Sequence, residues 1–117
     1  MIEATARLTG RPGCVMVHGG SGLLAASLGI ASAALDSTPM IVLTATQERK
    51  AMEGGWWQTM DVLSPLEGLA KWQRRIERPD QAVGAVREAL LETVTGRPGI
   101  AQLDFPIDVS TEACLSG

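Results

Sequence analysis

The glycine-rich turn His18-Gly19-Gly20-Ser21-Gly22 is the first stretch of this chain whose residue types and spacing could do chemistry. It follows a short apolar run, Cys14 to Val17, and opens a segment, Leu23 to Leu35, made almost entirely of Leu, Ile, Ala, Gly and Ser. Glycines between a strand and a helix let the backbone approach a ligand closely, or let a buried helix pack closely on a buried strand. The turn is therefore the first candidate functional site in the chain.

Several chemistries fit the turn to different degrees. Gly20 to Ala25 satisfies G-x-G-x-x-A, the dinucleotide-binding fingerprint, which also needs an acid beyond the second strand, and Glu48 is the nearest candidate. A nucleotide-hydrolase phosphate loop is not indicated, since no Gly-Lys-Ser or Gly-Lys-Thr is present. His18-Gly19-Gly20 could form an oxyanion loop, but the chain has no G-x-S-x-G and no second histidine to act as a base. From these residues alone, a dinucleotide site and a purely structural turn both remain open.

The elements around the turn predict a βαβ unit. A helix that is apolar on all sides, such as Leu23 to Leu35, must be covered on most of them. Asp36-Ser37-Thr38-Pro39 ends that helix, and Met40 to Leu43 has the length and composition of a strand buried on both faces. We expect a right-handed crossover between the two parallel strands.

A five-residue sequence, Thr-Gly-Arg-Pro-Gly, occurs twice, at Thr9 to Gly13 and at Thr95 to Gly99. Glycine can close a helix in the left-handed region, proline prevents its continuation, and the second glycine frees the entry to a strand. Both copies therefore predict helix-to-strand junctions, and Ala4 to Leu8 is expected to be the end of a helix.

The middle of the chain is less regular. Thr44 to Met60 is predicted to be a loop or a frayed helix. Ser64 is predicted to be a helix N-cap, with Pro65 at the first helical position and Glu67 completing a capping box. Lys71 to Ile76 could continue that helix or form a short strand.

The last third of the chain predicts a helix and a final strand. Arg78-Pro79-Asp80 marks a break, and Ile100 to Phe105 is the final strand. Strands alternating with helices predict a parallel sheet with helices on both faces, with ligands beyond the strand ends at Val17, Leu43 and Phe105. The intervening helix is predicted to be amphipathic, with an apolar face formed by Ala82, Val83, Val86, Ala89, Leu90 and Val94.

Composition narrows the class of protein. The 117 residues are 45% hydrophobic and 20% charged, which is typical of one globular domain. The net charge of -3, with no basic cluster beyond Arg74-Arg75, argues against nucleic-acid binding. No apolar run is long enough to span a membrane and no signal peptide opens the sequence, so we expect a cytoplasmic protein. Cys14 and Cys114 have no metal or redox spacing and are expected to be free thiols.

Six motifs in order give the chain a family resemblance. Ala6 to Gly13 resembles A-R-x-T-G-x-P-G, and Val17 to Gly22 stands in the place of V-T-S-G-P-G. The remaining four are Ala31 to Ile41 (A-x-A-x-x-D-S-x-P), Trp57 to Asp61 (F-Q-E-x-D), Lys71-Trp72 (T-K-W) and Thr95 to Val109 (G-R-P-G-P-V-x-x-D-x-P-x-D-V). Together they resemble the N-terminal, pyrimidine-binding domain of thiamine diphosphate-dependent enzymes such as acetolactate synthase, oxalyl-CoA decarboxylase and 2-hydroxyacyl-CoA lyase. This resemblance favours a strand at Lys71 to Ile76.

The resemblance implies a fold and a domain organisation. The fold is a three-layer α/β/α arrangement with a mostly parallel sheet, the thiamine diphosphate-binding fold, incomplete at the N-terminus. Residues 1–109 would be a partial pyrimidine-binding domain and residues 110–117 a polar tail or linker.

The resemblance also implies a cofactor and its partners. Thiamine diphosphate would lie between this domain and a pyrophosphate-binding domain that holds Mg²⁺, supplied by a homodimer or a second subunit, and the substrate would be a 2-oxo acid or an acyl-CoA. The cofactor-binding positions carried over from the motifs are Gly20, Ser21, Gly22, Ala25 and Gln58. In this chain Ser21 replaces the family's turn proline, Ala25 an asparagine, and Thr59 the glutamate of F-Q-E.

Catalysis by the chain alone is not expected. The family's glutamate, which protonates the aminopyrimidine ring, lies on a strand whose position falls before Met1, and Glu3 is too close to the helix end to replace it. No catalytic residue and no metal ligand is therefore assigned. The alternative is a non-catalytic interaction or scaffold domain, with Leu23, Leu24, Ser27 and Leu28 forming an association patch.

Overall fold

The computed structural model describes residues 1–113 of the chain. Four parallel strands alternate with helices, and short 3₁₀ turns lie at Ser64–Leu66 and Pro79–Gln81. The helices are α1 Ile2–Thr9, α2 Ser21–Leu35, α3 Arg49–Glu53, α4 Ala82–Val94 and α5 Ile107–Thr111. The strands are β1 Gly13–His18, β2 Met40–Thr46, β3 Ala70–Arg75 and β4 Ile100–Pro106.

The sheet has the order β1-β2-β4-β3, and every neighbouring pair is parallel. Met40 of β2 pairs with Gly13 of β1 on one side and with Ile100 of β4 on the other. The carboxyl ends of all four strands therefore lie at the same edge, as the βαβ prediction required. The strand predicted at Lys71 to Ile76 is confirmed as β3, with bounds shifted by one residue.

Helices cover both faces of the sheet, which gives the predicted three layers. One core packs α2 residues such as Leu23 and Ile30 against Met40, Val42 and Ile100. The other packs α4 against the opposite face, where Ile41, Ala101 and Leu103 are buried. Strand β1 lies at an edge of the sheet, and its residues alternate between half-buried and exposed.

Both copies of Thr-Gly-Arg-Pro-Gly form the predicted helix-to-strand junctions. Gly10, with φ 68° and ψ 11°, is the left-handed C-cap of α1, whereas α4 is capped by Thr95 in an extended conformation and Gly96, with φ 66°, follows it. The second glycine of each copy sits against a side chain: a Cβ on Gly13 would lie 2.7 Å from Ile2 Cγ2, and one on Gly99 would lie 2.8 Å from Lys71 Cδ. Both junctions thus have a glycine with positive φ and a second glycine without room for a side chain, but only Gly10 caps its helix directly.

The apolar face predicted for α4 is partly wrong. The helix has the predicted span, but it turns Ala85, Ala89 and Thr93 to the sheet and leaves Val83, Leu90 and Val94 exposed. Small residues let α4 approach the sheet closely, so the buried face is the one with the smallest side chains and not the most hydrophobic one.

The helix start predicted at Ser64 is also wrong. The segment Ser64–Leu66 is a single 3₁₀ turn, and the Ser64 side chain does not cap it. The Ser64 hydroxyl instead donates to the Asp61 carboxylate, which also accepts the backbone N–H of Leu63 at 3.0 Å. Gly68 follows within two residues of Leu66, and glycine disfavours continuation of a helix.

Helix α5 extends to Thr111, two residues into the segment expected to be a polar tail. Ser110 and Thr111 each donate a side-chain hydrogen bond of 3.0 Å to a backbone carbonyl one turn earlier. Cys114, expected to be a free thiol, lies outside the described residues, whereas Cys14 is a free and exposed thiol. Among residues 1–113, no helix is both long and apolar enough to cross a membrane.

Candidate functional site

The glycine turn lies at the carboxyl end of β1, where it begins α2. The backbone N–H of Gly19 donates to the Ala45 carbonyl of β2 at 2.6 Å, which ties the turn to the neighbouring strand. Gly20 precedes the first residue of α2 with φ 78° and ψ -115°. This conformation mirrors the β region, and only glycine adopts it without a large steric cost.

Gly19 has no room for a side chain. A Cβ at this position would lie 2.9 Å from Thr46 Cγ2, 3.0 Å from the Ala45 carbonyl oxygen and 3.3 Å from Val62 Cγ1. Two of these neighbours belong to β2, the adjacent strand. The turn is therefore seated directly on the end of β2.

The structure brings Gln58 to the glycine turn, although 38 positions separate it from Gly20 in the sequence. A Cβ on Gly20 would lie 3.5 Å from the Gln58 carbonyl oxygen and 3.7 Å from the Met60 side chain. Gln58 itself has a φ of 59°, one of two non-glycine residues with positive φ among those the structure describes. Such backbone conformations cost free energy and are common at binding sites.

The other positions carried over from the motifs lie on α2. Ser21 is its first residue and is exposed, Gly22 is half-buried, and Ala25 is exposed one turn further along the helix. The His18 ring lies next to the backbone of the glycine turn, with Nδ1 2.9 Å from the Gly19 carbonyl oxygen. Backbone amides, the Ser21 hydroxyl and the Gln58 amide can donate and accept hydrogen bonds, but they are not general acids or bases at neutral pH.

A buried polar cluster, which the sequence patterns did not predict, lies beneath the turn. The Asp104 carboxylate of β4 is fully buried and accepts hydrogen bonds from Arg75 Nε at 2.6 Å, Thr44 Oγ1 at 3.0 Å and Thr46 Oγ1 at 3.2 Å. These residues come from β3, β2 and β4, so the cluster joins the carboxyl ends of three strands. The available signal was Gln102 and Asp104, two polar residues inside an otherwise apolar strand.

A second polar chain fixes the loop that follows Gln58. Gln102 Nε2 donates to the Val62 carbonyl at 2.8 Å, and Gln73 Nε2 donates to Gln102 Oε1 and to the Leu63 carbonyl, both at 2.7 Å. Val62 is itself fully buried. The segment that brings Gln58 to the turn is thereby held on the sheet by the amides of the buried Gln102 and the half-buried Gln73.

A cleft of about 370 Å³ opens beside this loop. Arg75 and Asp61 provide its charged groups, and Met52, Gly55, Thr59 and Met60 line the rest. Hydrogen bonds from the Ser64 hydroxyl and the Leu63 backbone, together with the positive charge of Arg75, hold the pKa of Asp61 below its usual value of 3.8. The cleft therefore presents an ionised carboxylate near a guanidinium at neutral pH.

Asp108 joins two elements at the same edge of the sheet. Its carboxylate accepts the Arg49 backbone N–H at 3.3 Å and Arg49 Nε at 2.7 Å, which links α5 to the start of α3. Burial alone would raise the pKa of Asp108, but the hydrogen bonds from Arg49 outweigh it and hold that pKa below 3.8. The ionised form is thus the one that stabilises the fold.

The lowered pKa of Asp108 determines how the stability of the fold depends on pH. A carboxylate whose pKa is lower in the folded state contributes stability above its unfolded pKa, and that stability is lost as the pH falls through the folded value. We expect the free energy of unfolding, measured with urea, to be level near neutral pH and to fall below about pH 4. Asp108→Asn should reduce this decline, while the lowered pKa values of Asp61 and Asp80 preserve part of it. An Asp108→Asn protein with an unchanged decline would contradict the assignment.

The turn and the Gln58 segment carry groups that can contact a ligand. Gly20 and Gly22 flank Ser21 without side chains of their own, and Ser21 and Gln58 supply polar groups. Within residues 1–113, His, Cys, Asp and Glu side chains form no group of three or more that could hold a metal ion. The arrangement can bind and orient a ligand through backbone and amide contacts.

Comparison with known proteins identifies the family. Residues 1–64 match the family model described as thiamine pyrophosphate enzyme, N-terminal TPP binding domain. The chain is 31% identical over 110 residues to the mitochondrial acetolactate synthase catalytic subunit of Saccharomyces cerevisiae, which is 94% of this chain and 16% of that protein. It is 34% identical over 109 residues to the acetolactate synthase large subunit of Lactococcus lactis, covering 93% of this chain and 19% of that subunit.

A third relative broadens the range of reactions in the family. The 2-hydroxyacyl-CoA lyase 1 of Mus musculus is 31% identical over 109 residues, again 93% of this chain and 19% of that enzyme. The chain therefore spans less than a fifth of the length of these relatives. The motif order, the parallel sheet and the family match agree: the chain belongs to the family of N-terminal thiamine pyrophosphate-binding domains of thiamine pyrophosphate enzymes.

Proposed function

We propose that this chain is the pyrimidine side of a thiamine diphosphate site in a decarboxylase, lyase or carboligase that acts on a 2-oxo acid or an acyl-CoA. The observation that carries the proposal is the proximity of the Gly20 turn to the Gln58 segment: a Cβ on Gly20 would lie 3.5 Å from the Gln58 carbonyl oxygen. Two of the six motifs, distant in the sequence, meet at that point. When bound, the cofactor supplies a nucleophilic thiazolium carbon and an electron sink.

Each residue has a proposed part in binding. Gly20 and Gly22 allow the aminopyrimidine ring to approach the backbone, and the Ser21 hydroxyl and the Gln58 amide bind its polar edge. Ala25, exposed one turn along α2, provides apolar contact. The exposed position of Ser21 and Ala25 is consistent with a ligand held between this domain and another.

The carboxylate that activates the cofactor is proposed to come from outside these 117 residues. Glu3 is not proposed for this role, because α1 packs at the start of β1, where Ile2 lies against Gly13, whereas the turn follows the other end of that strand. We further propose that a pyrophosphate-binding domain, on a second subunit or a second copy, holds Mg²⁺ and the cofactor's phosphates. Without that domain the chain is expected to be inactive, and we place the assembled enzyme in the cytoplasm.

The test uses the isolated chain and fragments of the cofactor. Addition of 4-amino-5-hydroxymethyl-2-methylpyrimidine at millimolar concentration is expected to shift the backbone amide NMR signals of Gly20, Ser21, Gly22 and Gln58. A thiazole fragment should leave them unchanged, because the proposed site contacts only the pyrimidine ring. Gln58→Ala should weaken the shifts, and Gln47→Ala, a half-buried glutamine outside the turn, should not.

Two results would contradict different parts of the proposal. Absence of any pyrimidine-induced shift in the turn would overturn the site. Micromolar binding of thiamine diphosphate with Mg²⁺, measured by calorimetry on the chain alone, would overturn the need for a pyrophosphate-binding domain.

A second candidate function is a non-catalytic interaction domain, which the surface of α2 favours. This 15-residue helix contains no charged residue, and Leu24 and Leu28 are exposed by 53% and 84%. The association patch expected from the sequence changes in composition, because Leu23 is fully buried in the core. Exposed leucines on an uncharged helix are typical of a protein interface.

Sedimentation velocity tests the association surface. If α2 forms a dimer interface, the chain should sediment as a concentration-dependent dimer and Leu28→Glu should make it monomeric. Leu8→Glu, at an equally exposed leucine on α1, is the matched control and should leave the dimer intact. A monomer at all concentrations would exclude self-association through α2.

A further inference from the structure

Thr46, the last residue of β2, contacts both the Asp104 carboxylate and the Gly19 backbone of the turn. Its hydroxyl donates to Asp104 Oδ2 at 3.2 Å, and Asp104 Oδ2 also accepts from Arg75 Nε at 2.6 Å. Its methyl group Cγ2 faces Gly19, where it would lie 2.9 Å from a Cβ on that residue. Thr46 is only 4% exposed, so both contacts are made inside the protein.

The two contacts are made by one side chain with a single rotatable bond. Threonine is stiff at χ1, and the hydrogen bond to Asp104 favours one of its staggered positions. The position of the hydroxyl then fixes the position of the methyl group. Because interiors are close-packed, that methyl group limits where the Gly19 backbone can lie.

The backbone reinforces this coupling. Gly19 N–H donates to the carbonyl of Ala45, the residue directly before Thr46, at 2.6 Å. The turn is thus held by a hydrogen bond from one residue of β2 and by a methyl contact from the next. Gly20 and its contact with Gln58 follow immediately along the chain.

We propose that Thr46 is a positioning residue that couples the ion pair between Arg75 and the buried Asp104 to the Gly19–Gly20 turn. The ion pair fixes the hydroxyl, and the methyl group holds the turn in the conformation in which Gly20 faces Gln58. The effect on pyrimidine binding rests on the proposed function, whereas the effect on the turn does not.

Thr44 provides a matched control for this inference. It lies two residues earlier on the same strand, is equally buried, and donates its hydroxyl to the other oxygen of Asp104 at 3.0 Å. The three atoms nearest to a Cβ at Gly19 belong to Thr46, Ala45 and Val62, and none to Thr44. Thr44→Val and Thr46→Val therefore each remove one hydrogen bond to the same carboxylate, but only the second can act on the turn directly.

Native-state amide hydrogen exchange measures the turn separately from global stability. Relative to the exchange of Val42 and Leu103 in the core, Thr46→Val is expected to speed the exchange of Gly19 about tenfold, the effect of one hydrogen bond to a charged group. Thr44→Val should change the turn and the core equally. If both variants give the same pattern, Thr46 has only a structural role and the inference is overturned.

Thr46→Ser provides an independent measurement should the valine variant fold poorly. It retains the hydroxyl and removes the methyl group that faces Gly19, so it should loosen the turn while the core amides keep their protection. Unchanged exchange at Gly19 in Thr46→Ser would contradict the methyl contact. Weaker pyrimidine binding in Thr46→Val than in Thr44→Val would extend the inference to the cofactor. If the native chain shows no pyrimidine-induced shift, the proposed function fails, and hydrogen exchange still decides the role of Thr46.

Discussion

Replacing Asp104 with alanine is expected to lower the free energy of unfolding by about 3 kcal/mol, the lower end of the cost of removing one partner of a buried ion pair, because the Arg75 left behind is partly exposed to solvent. The Asp104 carboxylate is fully buried, and the Arg75 side chain with which it pairs is 27% exposed. The substitution leaves the Arg75 guanidinium and the Thr44 and Thr46 hydroxyls without their shared acceptor. A loss of this size is a large fraction of the roughly 5–15 kcal/mol by which folded domains are stable, so it should be readily measurable.

Urea unfolding followed by far-ultraviolet circular dichroism measures this loss. The matched control is Asp36→Ala, which removes an aspartate from a surface ion pair with Arg7. The Asp36 side chain is 54% exposed, and exposed pairs contribute about 0–1 kcal/mol. Equal losses in the two variants would show that the cluster beneath the turn contributes no more than a surface ion pair.

A double replacement separates the ion pair from the packing around it. Arg75→Met combined with Asp104→Leu removes both charges and keeps side chains of similar length. Buried ion pairs replaced as a unit by hydrophobic residues are often neutral in stability. We therefore expect the double variant to be more stable than Asp104→Ala. In both variants Thr46 loses the carboxylate to which its hydroxyl donates.

The parts of the fold that depend on local pattern could be predicted from the sequence. The spans of α2 and α4 follow from uninterrupted apolar or amphipathic stretches between breakers, and the two glycine-proline junctions follow from backbone preferences within five residues. The assignment of β3 needed the family resemblance, because the period of Lys71 to Ile76 fits more than one element. Local chemistry was sufficient wherever the deciding contacts lie close in the sequence.

Features that depend on distant partners could not be predicted in this way. The hydrogen bond between Thr44 and Asp104 joins residues 60 positions apart. The inward face of α4 is set by how closely the helix approaches the sheet, and periodicity placed Val83 on that face although it is exposed. Ser64 was predicted to cap a helix because the motif was complete, yet its hydroxyl is used by Asp61.

The candidate site, too, could be predicted only in part from the sequence. The glycine spacing identified the turn, but it left two interpretations open, a dinucleotide site and a structural turn. Only the order of the six motifs indicated that Gln58 belongs to the same site. The structure then added what no motif contains: the Gly20 backbone conformation, the left-handed Gln58, and the seating of Gly19 on Thr46. These are consequences of packing between loops, which sequence patterns do not encode.

Replacing Gly20 with alanine is expected to affect both stability and ligand binding. At φ 78° and ψ -115° the backbone of Gly20 lies in a region that residues with a Cβ avoid, and holding alanine there costs about 1–3 kcal/mol. The added methyl group would also lie 3.5 Å from the Gln58 carbonyl oxygen, on the surface proposed to contact the pyrimidine ring. We therefore expect a lower free energy of unfolding together with loss of the pyrimidine-induced NMR shifts.

Gly10→Ala is the matched control for this variant. Gly10 also has a positive φ, 68°, but its ψ of 11° places it in the left-handed helical region, which alanine can adopt at a cost of about 1 kcal/mol. No atom lies within 4 Å of a Cβ at Gly10, and the residue closes α1, away from the turn. Gly10→Ala should lose stability and retain the pyrimidine-induced shifts. If Gly20→Ala also retains them at full size, the turn is a structural link between β1 and α2 and the cofactor contacts must be sought elsewhere in the domain.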